Sequence, residues 1–259
     1  MNQEEKALRM AFHQLEKYYR PFIDFLVENQ NNYPEFKGAV TIDGFLVHKP
    51  KLLILSYNPG GGKYNEYKKD GAHLANYGER PCGVFEWGNA RKDGNWWEVD
   101  NKKINNDFPA NLIEFLYAYT GAERGSKKEI MELEKSMMFL NLYPIATEDI
   151  GSYKKILTEL IKDKDFQKND CFNNEWKNEW DIRKNFLGKI HKFIETYVLP
   201  EKILCLGQST IEDFLWGREN ITKIEEGIFR SKNNSTIYGI SRSGTWSERA
   251  RRVAKIIEK

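Results

Sequence analysis

Apolar residues recur at three- and four-residue intervals from about Gln3 to Glu28, at Leu8, Phe12, Leu15, Tyr19, Phe22 and Leu26, which draws one face of an amphipathic helix. The pattern then changes. Lys51-Leu52-Leu53-Ile54-Leu55-Ser56 is a continuous apolar run of strand length, broken by the turn residues Asn58-Pro59-Gly60-Gly61-Gly62. Such a run suits a strand buried on both faces of a parallel sheet. From about 63 to 106 the chain is rich in Gly, Asn, Lys, Tyr and Trp without periodicity, and a stretch of that length inside a compact domain reads as an active-site excursion. Helical spacing returns near Ala110 with Leu112, Phe115, Leu116 and Tyr119, and Gly121 stops it. Met137 to Leu142 predicts a second buried strand, ended by Pro144. Asn185 to Val198 predicts a helix and Lys202 to Leu206 a third strand, which leads into a helix that a capping box, Ser209-Thr210-Ile211-Glu212, would open. Thr236 to Ile240 predicts a fourth strand and Trp246, Ala250, Val253 and Ile257 a last helix. The polar stretch from Lys162 to Glu179 carries Phe166, Phe172 and Trp176 and is expected to pack as a surface elaboration.

Strands that alternate with helices predict an α/β fold, here a three-layer sandwich with a four-stranded parallel sheet and helices on both faces. We expect one domain over residues 1–259. Composition fits this: 40% hydrophobic and 30% charged residues are globular values. No run reaches the roughly 18 apolar residues of a membrane helix, and Met1-Asn2-Gln3-Glu4-Glu5-Lys6 is not a signal segment. A cytoplasmic monomer away from membranes is expected. Cys82, Cys171 and Cys205 and four scattered histidines form neither a disulfide framework nor metal-ligand spacing, so no metal and no cofactor are predicted. The net charge of +2 excludes a strongly basic nucleic-acid coat protein, although the last 19 residues hold six Lys or Arg against two Glu.

Ligands of open α/β sheets bind outside the carboxyl ends of the strands, and three predicted strand ends carry distinctive polar residues. The first delivers Ser56-Tyr57-Asn58-Pro59-Gly60-Gly61, the second Asn141, and the fourth Ser241-Arg242-Ser243-Gly244. Gly60-Gly61-Gly62-Lys63 lacks the spacing of a nucleotide-binding P-loop, which excludes that reading.

A strand followed by Asn-Pro-Gly resembles the first motif of the uracil-DNA glycosylase superfamily, in particular its mismatch-specific branch. The resemblance implies that Asn58 positions the water that attacks the sugar, acting by orientation and by stabilising a cationic sugar, since an amide is no strong base. Ser56, Tyr57, Pro59, Gly60 and Gly61 would then border the substrate. Asn141 is similar in place to the family asparagine that reads the amide edge of a flipped-out base. Phe85 of Pro81-Cys82-Gly83-Val84-Phe85 resembles the aromatic that stacks on that base. The last motif departs from the family: Ser241-Arg242-Ser243-Gly244 lacks the His-Pro or Asn-Pro pair, which leaves Arg242 and the adjoining helix start to hold a phosphate. The family's iron–sulfur branches need four cysteines, and the chain has three.

The function implied is hydrolysis of the N-glycosidic bond to a uracil-like or modified base in DNA, with nucleic acid or a nucleotide as partner. Two other readings stay open on the residues alone. One is a protein that binds a nucleotide or modified base in the same pocket without cleaving it; the other is a doubly wound domain with an unrelated small-molecule role.

Overall fold

The computed structural model describes residues 2–39, 41–42, 45–58, 107–121, 132–133, 135–242 and 246–258. They form two compact units interleaved along the chain. The first takes Met1–Ile42, Tyr57–Glu79 and Asn141–Leu199; the second takes Asp43–Ser56, Arg80–Leu140 and Pro200–Lys259.

The first unit is helical. Helix α1 (Gln3–Glu28) starts at a capping box in which the Asn2 side chain accepts from the Glu5 N–H and Glu5 accepts from the Asn2 N–H. Its apolar stripe is buried as the periodicity predicts, with Phe12, Phe22, Ile23 and Leu26 essentially without exposure. Helix α3 (Ile150–Lys162), an addition to the predicted elements, is capped by Asp149 and buries Tyr153, Ile156, Leu157 and Leu160 at helical spacing. Helix α4 (Glu179–Phe193) begins earlier than the expected Asn185 because Asn178 and Asp181 form another capping box. It runs on into a π-helical turn, Ile194–Val198, and Leu199 ends it with φ of +54°. The stretch between α3 and α4 packs as expected: Phe166 is buried against Phe22 and Phe25, and Trp176 against Phe22.

The second unit holds the sheet: β1 (Leu52–Ser56), β2 (Met137–Asn141), β3 (Ile203–Leu206), β4 (Ile221–Glu225), β5 (Ile228–Ser231) and β6 (Ile237–Ile240), in the order β2-β1-β3-β6-β5-β4. The four predicted strands are all present, and β1–β3 and β3–β6 pair in parallel. The expectation of a four-stranded, wholly parallel sheet is nonetheless corrected. A hairpin, β4 and β5, adds two antiparallel strands beside β6. It closes through Glu226 and Gly227, where glycine supplies φ of +70°.

Alternation along the strands separates two faces. Leu52, Ile54, Leu204, Leu206, Tyr238 and Ile240 pack with Leu112, Phe115 and Leu116 of α2 (Asp107–Thr120) and with Ala250, Val253, Ala254 and Ile257 of α6 (Trp246–Glu258). Each fully buried leucine or isoleucine there contributes about 2 kcal/mol. On the other face α5 (Gln208–Phe214) lies so close to β6 that a Cβ on Gly239 would meet Ile211 carbons at 2.9 Å, which only glycine accommodates. The predicted Ser209 capping box does not form: α5 starts after Gly207, whose φ is +110°, without a side-chain cap, and the Thr210 hydroxyl donates to the Leu206 carbonyl instead. No described helix is long and apolar enough to cross a membrane.

Candidate functional site

Asn58 lies two residues beyond the end of β1, and its neighbours decide which way its amide points. Nδ2 donates to the Ile145 carbonyl at 3.3 Å and to Thr147 Oγ1 at 2.9 Å. A backbone carbonyl only accepts, so the amide nitrogen, not the oxygen, must face it. Thr147 enforces the same orientation. Its hydroxyl donates to the Asp149 carbonyl at 2.7 Å, which leaves Oγ1 as an acceptor for Asn58. Nδ2 is therefore the end of the Asn58 amide turned to the 145–147 segment, and the carbonyl oxygen is the opposite end.

The segment that fixes Asn58 is itself fixed. Ala39 and Ile145 form an antiparallel bridge, the Lys37 N–H donates to the Ala146 carbonyl at 2.9 Å, and the Ala146 N–H donates to the Gly38 carbonyl at 2.8 Å. Asp149 both receives the Thr147 proton at its backbone and caps α3 with its carboxylate, which accepts from the Ser152 N–H at 2.7 Å. That hydrogen bond holds the Asp149 carboxyl below its ordinary pKa.

Tyr57 anchors the other side of Asn58. Its carbonyl accepts from the Tyr143 N–H at 3.0 Å. Its ring stands edge-on to Tyr143 at 4.8 Å and to Tyr153 at 6.0 Å, so the side chain is interior. The phenol oxygen accepts from Arg183 Nη1 at 3.0 Å. Arg183, only 6% exposed, is a buried cation with a partner: Glu179, one turn earlier on α4, accepts from Nε at 2.5 Å and from Nη2 at 3.0 Å. Its guanidinium also lies 4.4 Å from the Trp180 ring centre. Neither Arg183 nor Thr147 stood out in the sequence. The legible trace was the Glu179–Arg183 spacing of four residues, which pairs opposite charges along one helix face.

Asn141 closes β2 and is 3% exposed; its backbone N–H donates to the Thr41 carbonyl at 2.8 Å. Tyr57, Asn58 and Asn141 thus belong to the first unit, where residues 57 and 58 bond to the segment that Asn141 opens. Ser56, half-buried at the end of β1 and in register with Leu206, belongs to the second unit, as do Ser241 and Arg242. The Ser241 N–H donates to the Gly227 carbonyl at 2.7 Å just past β6, and Arg242 is exposed. Pro59, Gly60, Gly61, Phe85, Ser243, Gly244 and the 63–106 excursion lie outside the described residues. No protein-family model and no curated protein matches the chain.

Proposed function

We propose that the protein hydrolyses the N-glycosidic bond of a uracil-like or modified base in DNA, with Asn58 positioning the attacking water. The observation that supports this reading is that Ile145 and Thr147 hold the Asn58 amide nitrogen, which fixes the direction in which its carbonyl oxygen is turned. That oxygen accepts a proton-bearing edge of water without removing the proton. Such help suffices when the bond from C1′ to the base nitrogen breaks first, the base leaving with the electron pair, because neutral water then adds readily to a cationic sugar and passes its surplus proton to the departed base or to solvent. In this reading Asn141 reads the base and Tyr57 holds Asn58 in place.

Base release from single- and double-stranded oligonucleotides carrying uracil, mismatched thymine or modified bases tests it. The Asn58→Ala variant is expected to lose about 100-fold in rate, the scale on which mispositioned groups cost activity. Equal release by both proteins would remove Asn58 from the chemistry. A second reading, binding of a nucleotide or modified base without cleavage, is favoured by the same amide, which supplies no base. Tight binding with no release from any substrate would establish it.

A further inference from the structure

Arg183 is a buried cation that the reaction proposed above leaves without a task. Desolvating a charge offsets most of the attraction to its partner, so a buried ion pair adds little net stability, and its better-attested use is to specify one arrangement. The arrangement specified here ends at Asn58. Glu179 accepts from Nε and Nη2, which occupies one edge of the guanidinium and sets its rotation in the plane. The Trp180 ring, its centre 4.4 Å from the guanidinium carbon, confines the plane itself. The remaining nitrogen, Nη1, is thereby aimed, and it donates to the Tyr57 phenol oxygen at 3.0 Å. The rings of Tyr143 and Tyr153 confine the plane of the Tyr57 ring, and the Arg183 contact adds how far the ring reaches along its own axis. Tyr57 is also held by its backbone, because its carbonyl accepts from the Tyr143 N–H. That carbonyl lies in the same planar peptide as the Asn58 N–H. Fixing the peptide and the Tyr57 side chain together fixes the α-carbon from which the Asn58 amide reaches Ile145 and Thr147.

We infer that Arg183 is a positioning residue for Asn58, acting through the Tyr57 phenol; its bearing on catalysis rests on the water-positioning reading above, whereas the link itself does not. Two substitutions break that link at its two ends. Lysine at 183 keeps the charge but has no planar fork to hold Glu179 and Tyr57 in fixed directions at once. Phenylalanine at 57 keeps the ring and removes only the oxygen. If the link runs through this one hydrogen bond, both substitutions act alike on Asn58, and the second adds nothing once the first is made. An ion pair that serves the fold alone predicts a general loosening of the unit instead.

The readout is hydrogen exchange of the Asn58 side-chain amide, followed by NMR in the isotope-labelled full chain. The Asn29 side-chain amide, which donates to the Phe25 carbonyl at 2.9 Å, is the comparison within the same unit. Tyr57→Phe and Arg183→Lys are each expected to speed Asn58 exchange about tenfold, the scale of one lost hydrogen bond, and to leave Asn29 unchanged. The double variant should match the single ones. Three results overturn the inference: Asn58 exchange as in wild type, Asn29 accelerated in step with Asn58, or a double variant whose acceleration is the product of the two. Base release from a strand carrying deoxyuridine is measured on the same proteins. Where wild type releases base, both variants should lower kcat with KM unchanged, and an unchanged kcat overturns the inference as well. A wild type that releases nothing sinks the hydrolase reading, and the exchange rates then decide this one by themselves.

Discussion

At Asn58 the difference between an amide and a carboxylate is a difference in what the surrounding backbone can tolerate. The Ile145 carbonyl accepts from Nδ2 at 3.3 Å, and no rotation of the peptide plane turns that carbonyl into a donor. In Asn58→Asp the same position would set a carboxylate oxygen against a carbonyl oxygen. The Thr147 hydroxyl could compensate only by abandoning the Asp149 carbonyl. We expect this variant to be less stable by about 2 kcal/mol at pH 8, the cost of leaving such groups unsatisfied, read from urea midpoints. The introduced carboxyl should have a raised pKa in the folded state, because only its protonated form can donate to Ile145. The deficit should therefore shrink as pH falls toward 5; a deficit equal at pH 5 and pH 8 would contradict the assigned orientation. The preference for asparagine here thus has a structural cause that does not depend on any reaction.

At the scale of elements, three aspartates hold helix ends of the first unit through hydrogen bonds to their ionised forms. Asp149 accepts from the Ser152 N–H. Asp181 accepts from the Lys177 and Asn178 N–H groups at 2.9 and 3.2 Å. At Asp163 burial works to raise the pKa, yet hydrogen bonds from the Phe166 N–H, the Tyr33 hydroxyl and the Asp165 N–H outweigh it. All three carboxyls end below their ordinary value of 3.8. A folded pKa below the unfolded one contributes stability that is complete above the unfolded value and disappears as pH falls through the folded one. Helix content should accordingly be level from pH 8 to about 5 and fall below about 4. Replacing Asp149, Asp163 and Asp181 by asparagine, which still accepts hydrogen bonds, should flatten that fall; an unchanged acid transition would show that these caps do not set it. The caps also explain what the sequence disclosed and what it hid. The long periodic helix and the four apolar strands announced themselves, because burial on one or both faces writes its period directly into the chain. Helix α3 had its signal in Asp149 and the spacing of Tyr153, Ile156, Leu157 and Leu160, but it stood between stronger features. The β4–β5 hairpin was less legible: β4 is exposed along most of its length, so Ile221 to Glu225 shows no burial pattern, and the loop is Glu-Gly in place of the commoner Asn-Gly. In the site, Asn58 and Asn141 were visible as polar residues that end apolar runs. Thr147 and Arg183 were not, since their roles depend on contacts made 89 and 126 residues away in sequence.

For the whole molecule the question is how a chain of net charge +2 would meet a polyanion. The excess of basic residues near the C-terminus first suggests a phosphate-binding face on α6. The structure assigns much of that charge to internal partners. Arg251 bonds Glu114 on α2 at 2.8 and 3.1 Å, and Arg252 bonds Glu248 at 2.7 Å and Glu225 on β4 at 3.5 Å. Exposed pairs of this kind add little stability, but each carboxylate cancels the field that its arginine would project toward DNA. A protein that tracked the backbone with this helix would release several counterions on binding, and log Kd would change with log salt by about 0.7 per phosphate on a single strand. With Arg251 and Arg252 neutralised by their partners, the proposed reading expects one or two phosphate contacts, hence a slope between about 0.7 and 1.4. Alanine at Arg242 should reduce the slope by about 0.7, one phosphate's share, whereas alanine at both Arg251 and Arg252 should leave it unchanged. A slope near 4, or one that falls with the α6 substitutions, would instead make the helix the nucleic-acid face and would move the phosphate contact away from Arg242. So shallow a salt dependence would mean that the proposed affinity comes mainly from contacts to the base and little from the backbone charge.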